Sequence, residues 1–158
     1  MKPLVRLGAT AAILAADRVT KLWALDWLAE RGSLPLLPFF HLTYVENTGA
    51  AFGMGRAKNG FFIVLAAALL IVLAWLQRSW KDKNAWIRWG LVLVAGGAVG
   101  NLWDRIAYGF VVDFLDFRIW PVFNVADSCI TIGAGCLAWG LHLDDKASAP
   151  AKGRPDSV

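Results

Sequence analysis

Four apolar stretches divide the chain: Leu7–Leu25, Gly60–Leu76, Trp86–Ala107 and Val122–Leu141. A bilayer core about 30 Å thick takes roughly 20 helical residues to cross, so the pattern predicts four membrane-spanning helices. The second stretch is the cleanest, with no charged or amide side chain from Phe61 to Leu76. The other three are interrupted by Asp, Asn, Arg or Lys. The N-terminal stretch, with Lys2 and Arg6 ahead of a short apolar run, has the outline of a signal peptide. It continues through Asp17 and Lys21 back into Leu22–Leu25 with no convincing small-residue cleavage site, and reads as a span.

The first loop, about Asp26–Asn59, is long for a bundle connection, and its composition favours function over disorder. Phe40, Leu42 and Tyr44 alternate with His41 and Thr43, a short period-two pattern. Asn47-Thr48-Gly49 then reads as a turn, followed by Ala50-Ala51-Phe52-Gly53. The third loop, Gly109–Phe114, has similar β character. The expected fold is an all-α membrane protein of four transmembrane helices, with a small extracytoplasmic β-rich subdomain resting on the bundle. Residues 1–145 form the single membrane domain, and 146–158, rich in Ala, Ser, Pro and Lys, a disordered cytoplasmic tail.

Composition agrees. The 158 residues are 58% hydrophobic and only 18% charged, against about a quarter charged in an ordinary soluble domain. A soluble fold of this length would leave much of that apolar material in water. Lys and Arg set the orientation: Arg78, Lys81, Lys83 and Arg88 cluster between spans two and three, Lys2 and Arg6 precede span one, and Lys146, Lys152 and Arg154 follow span four. The first loop has only Arg31, Arg56 and Lys58, and the third only Arg118. Both termini are therefore expected in the cytoplasm. Trp75, Trp80, Trp86, Trp89 and Trp139 then fall at the inner boundary and Trp23, Trp27, Trp103 and Trp120 at the outer one. The net charge of +4 is mostly a topology signal and needs no nucleic acid to explain it.

Charged groups within a bilayer are expensive unless paired or wetted, so each is a functional candidate. At 1.5 Å per residue, Asp17 lies past the midpoint of span one and Lys21 a turn further out. Asn101, Asp104 and Arg105 occupy the outer third of span three, Asn124 and Asp127 the first two turns of span four, and Asp113 the loop just outside. All converge on the outer boundary. Asp17 and Lys21 are spaced i, i+4 with the acid first, a favourable order. The structural alternative is that these groups only hold the bundle together, and for Asp17–Lys21 and Asp104–Arg105 that reading stands beside the functional one. Asp113 and Asp127 lack an opposite charge at helical spacing. Two acids brought together share a proton near neutrality, which suits hydrolysis of an amide by an activated water. Their fourteen-residue separation permits a meeting without requiring one.

Other chemistries find little support. No His, Cys or Asp cluster has metal-ligand spacing, and His41 and His142 fall on opposite sides of the membrane. There is no Gly-x-Ser-x-Gly. Cys129 and Cys136 read as packing residues of span four.

Five blocks carry a resemblance: Asp17-Arg18-Val19-Thr20-Lys21, Glu46–Gly53, Gly96–Arg105, Gly109–Phe114 and Phe123–Ser128. Together, and in order, they resemble the signature blocks of the lipoprotein signal peptidase (signal peptidase II) family. The resemblance implies an aspartic endopeptidase of the bacterial inner membrane that cuts prolipoproteins before a diacylglyceryl-modified Cys. It implies a catalytic pair of Asp113 and Asp127, with Asn47, Asn101, Arg105 and Asn124 lining the site and Asp17, Lys21 and Asp104 supporting it. The first loop would clamp the substrate. The partners would be diacylglyceryl prolipoproteins and membrane lipids, with no cofactor or metal and the enzyme working as a monomer. The connection between the two aspartates is short beside many relatives. A small ion- or proton-coupled transporter is the alternative, since intramembrane charges also mark ion pathways. It would need polar groups at several depths. A non-catalytic bundle subunit would tolerate isosteric replacement of the acids.

Overall fold

The computed structural model describes residues 2–49, 59–81 and 83–148. Helix α1 (Pro3–Trp23) passes into a π-helical turn at Ala24–Leu28 and is followed by strands β1 (Ser33–Leu37) and β2 (Phe40–Asn47). Helices α2 (Asn59–Ser79) and α3 (Ala85–Ala107), strand β3 (Val111–Asp116) and helix α4 (Val125–Ser148) complete the chain. The protein is thus mostly helical with one small antiparallel sheet, in the order β1-β2-β3.

Two of the helices, α2 and α3, are long and apolar enough by composition to cross a membrane. They differ in their surroundings. Helix α2 is hydrophobic all round yet buries only Leu73, as expected of a helix whose solvent is lipid. Helix α3 is the centre of the bundle, in contact with α1, α2 and α4. Glycines make that packing close, as small residues do between membrane helices. A Cβ at Gly97 would run into the carbonyl of Ala126 on α4, and one at Gly90 would lie 2.7 Å from the Gly133 carbonyl.

The sheet packs at the C-terminal end of α1. Ala24 and Leu28, at the two ends of the π-helical turn, both face inward and meet Val112 and Phe114 of β3 in a small apolar core. Strand β2 pairs with both neighbours, and its register against β3 shifts between Leu42 and Val45. Beyond that irregularity Val45 lies opposite Asp113 and Asn47 opposite Val111. Asn47 is therefore a diagonal neighbour of Asp113 on one face.

Among the boundaries that differ from the sequence expectation, three are informative. Helix α4 begins at Val125 rather than Val122, because Phe123 pairs with Leu115 through backbone hydrogen bonds of 2.8 and 3.0 Å and extends the sheet instead. The expected tail is helical through Ser148; its remainder, from residue 149, lies outside the described residues, as do Ala50–Gly53 of the first loop. Finally, α1 starts at Pro3, where the missing N–H of proline suits a first-turn position.

Helix α3 is expected to reject side chains where it meets α4. Gly97→Val should lower stability by about 1–3 kcal/mol through overpacking, read as a reduced melting temperature in detergent. Gly135→Ala is the control: a Cβ there meets nothing within 4 Å, so helix propensity should raise stability by about 0.5–1 kcal/mol. Equal melting of the two variants would contradict the close α3–α4 contact.

Candidate functional site

The polar groups start from Lys21. Its side chain is wholly buried, and an ammonium has three N–H donors to satisfy. One meets Asp17 Oδ2 at 2.9 Å, another Asp104 Oδ2 at 2.9 Å, and the third Asn101 Oδ1 at 2.9 Å. Asp17 uses its other oxygen to accept the Ala126 N–H at 2.9 Å, capping α4 from a different helix. Asp104 is held further by Arg18 at 3.2 Å and the Val112 N–H at 3.3 Å. Thus α1, α3, α4 and β3 are tied at one depth.

Three asparagines carry this arrangement to the two remaining carboxylates. Lysine only donates, so the Asn101 carbonyl oxygen must face Lys21, and its NH₂ then donates to Asp127 Oδ1 at 2.7 Å. Asn124 caps α4. Its Oδ1 accepts the Asp127 N–H at 2.9 Å, and the Asp127 carboxylate accepts the Asn124 N–H at 3.3 Å. This is a capping box with Asp in the third helical position. It turns the Asn124 NH₂ onto Asp113 Oδ1 at 2.6 Å. Asn47 follows the same rule: its carbonyl accepts the Gly49 N–H at 2.8 Å, and its NH₂ reaches Asp113 Oδ2 at 2.9 Å. Gly49 has φ +76° and an added Cβ would collide with the Phe62 ring, so glycine is required there.

Asp113 is 1% exposed, while Asp127 is half-buried. Burial pushes the Asp113 carboxyl up to about 6; the Asn47 and Asn124 donors and the Lys21 charge oppose the rise, and the negative charge of Asp127 adds to it. Asp127 sits in the first turn of α4, where the helix dipole favours negative charge. Clefts of about 330 and 580 Å³ open over Asp113 and Asp127 respectively, both bordered by Pro121 and Val122.

All nine residues singled out from the sequence lie in or beside this cluster. Arg105 is the outlier. Its guanidinium lies over the Phe62 ring at 5.2 Å and donates to the backbone carbonyl of Asn101 at 3.4 Å, with no hydrogen bond to Asp113 or Asp127. Its charge nevertheless acts on both. The partner expected for Asp104 was Arg105; the structure supplies Lys21 and Arg18 instead, because Arg105 points along α3 toward α2. Sequence reasoning gave Arg18 no role of its own. It binds Asp104 and the Tyr108 hydroxyl and lies over the Tyr108 ring at 5.1 Å. Its place beside Asp17 was the available signal. Asp116 was missed too: the Arg118 N–H, the Thr43 hydroxyl and the Arg118 guanidinium hold its carboxyl below the usual range. Those bonds fix the turn that returns β3 toward α4, with Arg118 at φ 65°.

The polar residues buried as a whole among those described lie at this end of the bundle, with only the Nε of half-buried Arg88 added at the other, whereas an ion pathway needs them at several depths. Among the described residues, no group of three or more His, Cys, Asp or Glu side chains is arranged to hold a metal ion.

The family described as signal peptidase (SPase) II matches residues 9–143. The lipoprotein signal peptidase of Pelotomaculum thermopropionicum is 44% identical over 140 residues, covering 87% of this chain and 92% of that protein. That of Caldanaerobacter subterraneus subsp. tengcongensis is 47% identical over 131 residues, covering 82% and 90%. Two solved structures described as bacterial membrane enzymes superpose with TM-scores of 0.82 and 0.80 at 30% and 32% identity. The first covers 96% of each chain; the second covers 88% of this chain and 93% of its own.

Lys21→Met should destabilise the protein by about 3–5 kcal/mol, because it leaves buried carboxylates uncompensated. Adding Asp17→Asn should restore part of that loss, since Arg18 still balances Asp104. Thermal unfolding of both variants in detergent checks this, and purely additive losses would count against the shared ion cluster.

Proposed function

The chain belongs to the signal peptidase II family, aspartic-type membrane peptidases that remove signal peptides from prolipoproteins, and from that premise we propose that Asp113 and Asp127 are its catalytic pair. The observation that carries the assignment is Asn124, which donates from its side chain to Asp113 and from its backbone to Asp127. One residue holds both carboxyls where the two clefts meet.

The roles follow from their surroundings. Asp113, buried and raised to about 6, is the member that keeps the proton. Asp127, at the positive end of α4 and held by two N–H donors, is the carboxylate. A water between them gives a proton to Asp127 as its oxygen attacks the scissile carbonyl carbon, and Asp113 gives its proton to the carbonyl oxygen. When the C–N bond breaks, Asp127 passes its proton to the leaving amine, and Asp113 recovers one from the tetrahedral intermediate. Asn47, Asn101 and Asn124 hold the carboxyls, and Arg105 supplies positive charge beside them.

The substrate is a prolipoprotein whose Cys carries diacylglyceryl, cut just before that Cys. A substrate that is both helix and lipid must be cut at the bilayer edge, and the polar layer lies there. The four helices are 21 to 24 residues long, about 30 Å or more at 1.5 Å per residue, and all four span the inner membrane. The Lys and Arg distribution places both termini in the cytoplasm and the aspartates near the periplasmic face.

A gel-shift assay with purified diacylglyceryl prolipoprotein tests the pair. Asp113→Asn and Asp127→Asn should each lower turnover by about 10²–10⁴-fold while melting as cooperatively as the unaltered chain. Normal cleavage by either variant would refute the assignment, and equal processing of unlipidated precursor would refute the substrate.

The proton on Asp113 gives a pH dependence. Its raised carboxyl is protonated below about pH 6 and ionised above it, so kcat/KM should fall on the alkaline side. Asn47 stabilises the ionised form, and removing it as Asn47→Ala should raise Asp113 further, moving the alkaline limb to higher pH. A limb that stays put, or moves toward acid, would exclude Asp113 as the proton donor.

A further inference from the structure

At the end of the bundle remote from the aspartates, a cavity of about 500 Å³ is lined by Arg6, Ala74, Gln77, Arg78 and Lys81. It opens between α1 and α2, which scarcely touch each other because both pack on α3. Arg6 comes from the second turn of α1, Arg78 from the last turn of α2, and Lys81 from just beyond it. Three cations therefore face one concavity. Among the described residues none of their side chains has a hydrogen bond or ion pair, whereas nearby Lys83 is paired with Asp144 at 2.8 Å.

Charge that only sets topology needs to lie in the cytoplasmic connections; it has no reason to gather round a single cavity, where like charges repel. Gln77 adds an amide donor, and Ala74 leaves the floor open. Leu7 and Trp75, the sequence neighbours of Arg6 and Ala74, are exposed apolar side chains. Cationic donors above apolar surface match an ester phosphate above acyl chains. We infer that this cavity binds the headgroup of one anionic phospholipid of the cytoplasmic leaflet. Its phosphate lies among Arg6, Arg78 and Lys81, and its chains lie along the exposed faces of α1 and α2. Basic pockets between membrane helices bind such headgroups. The site rests on the membrane placement proposed above and is independent of the aspartate assignment.

Native mass spectrometry of the purified full-length protein tests it, with phosphatidylglycerol and phosphatidylcholine offered in equal amounts in detergent. The unaltered chain should retain one phosphatidylglycerol in preference to phosphatidylcholine. Each cation near an anionic surface contributes about fivefold in affinity. Arg78→Gln should therefore weaken retention about fivefold, and Arg6→Gln/Arg78→Gln/Lys81→Gln on the order of a hundredfold. Lys83→Gln removes the same charge from the same connection and should leave retention unchanged. Equal retention of the two lipids, or an equal loss in Lys83→Gln, would overturn the site in favour of diffuse charge. Retention of inorganic phosphate in place of the lipid would overturn the lipid assignment. Arg78→Gln changes one exposed side chain and carries the test if the triple variant does not fold. Prolipoprotein cleavage, measured on the same samples, should persist in every one of these variants. A failed lipid result is thus separate from a failed catalytic assignment.

Discussion

The end of the bundle that carries the sheet depends on one buried ammonium. Lys21 has no access to water, so each of its three N–H donors must find an acceptor within the protein, and each does. Desolvating an ammonium costs several kcal/mol, recovered only where geometry and partners are complete. Completeness here requires α1 and α3 at fixed depth and rotation. Because a lysine never accepts, the third bond also dictates which way the Asn101 carboxamide turns. The constraint passes through Asn101 to Asp127, through the α4 capping box to Asn124, and from there to Asp113. A group on the first helix thereby sets the geometry of a carboxyl on a strand more than ninety residues later.

Three asparagines around the aspartates are each locked by a donor that cannot be exchanged: an ammonium for Asn101 and backbone N–H groups for Asn47 and Asn124. A freely rotating carboxamide presents its oxygen or its NH₂ with similar ease, and an oxygen facing a carboxylate repels it. Locking removes that choice, and on the proposed assignment it does so before substrate arrives. This is electrostatic preorganisation, in which donors stand where charge is needed and do not reorient during the reaction. The close α3–α4 packing serves the same end, since glycines at the contact hold the two helices bearing Asn101 and Asp127 close together.

Much of this was legible in the sequence, and the physical reason is the bilayer. Polar groups in an apolar stretch are conspicuous because lipid makes them expensive, and depth along a helix follows from simple rise per residue. That was enough to gather Asp17, Lys21, Asn101, Asp104, Asn124 and Asp127 at one level. The alternation at Phe40–Tyr44 likewise announced the sheet. What sequence could not give was pairing across the fold. The partner of Asp104 depends on helix rotation, which spacing within α3 does not determine. The start of α4 was misplaced because Val122 and Phe123 are apolar and continue the hydropathy signal, although Phe123 belongs to a backbone pairing with Leu115. The π-helical turn at Ala24–Leu28 has no sequence marker of its own.

Charge balance gives the arrangement its final logic. Asp17 and Asp104 are matched by Lys21 and Arg18, all within direct ion pairs. That leaves Asp113 and Asp127 beside one further cation, Arg105, whose charge acts on both without bonding either. Two ionised carboxyls would exceed it by one negative charge. One proton shared by the pair brings the sum to zero. In the proposed mechanism that proton belongs to Asp113, the more deeply buried of the two, where burial penalises the charged form. A pair poised with one proton is what hydrolysis by an activated water requires. The counting of cations, more than any single contact, explains why a third cation, Arg105, stands near the aspartates yet bonds neither.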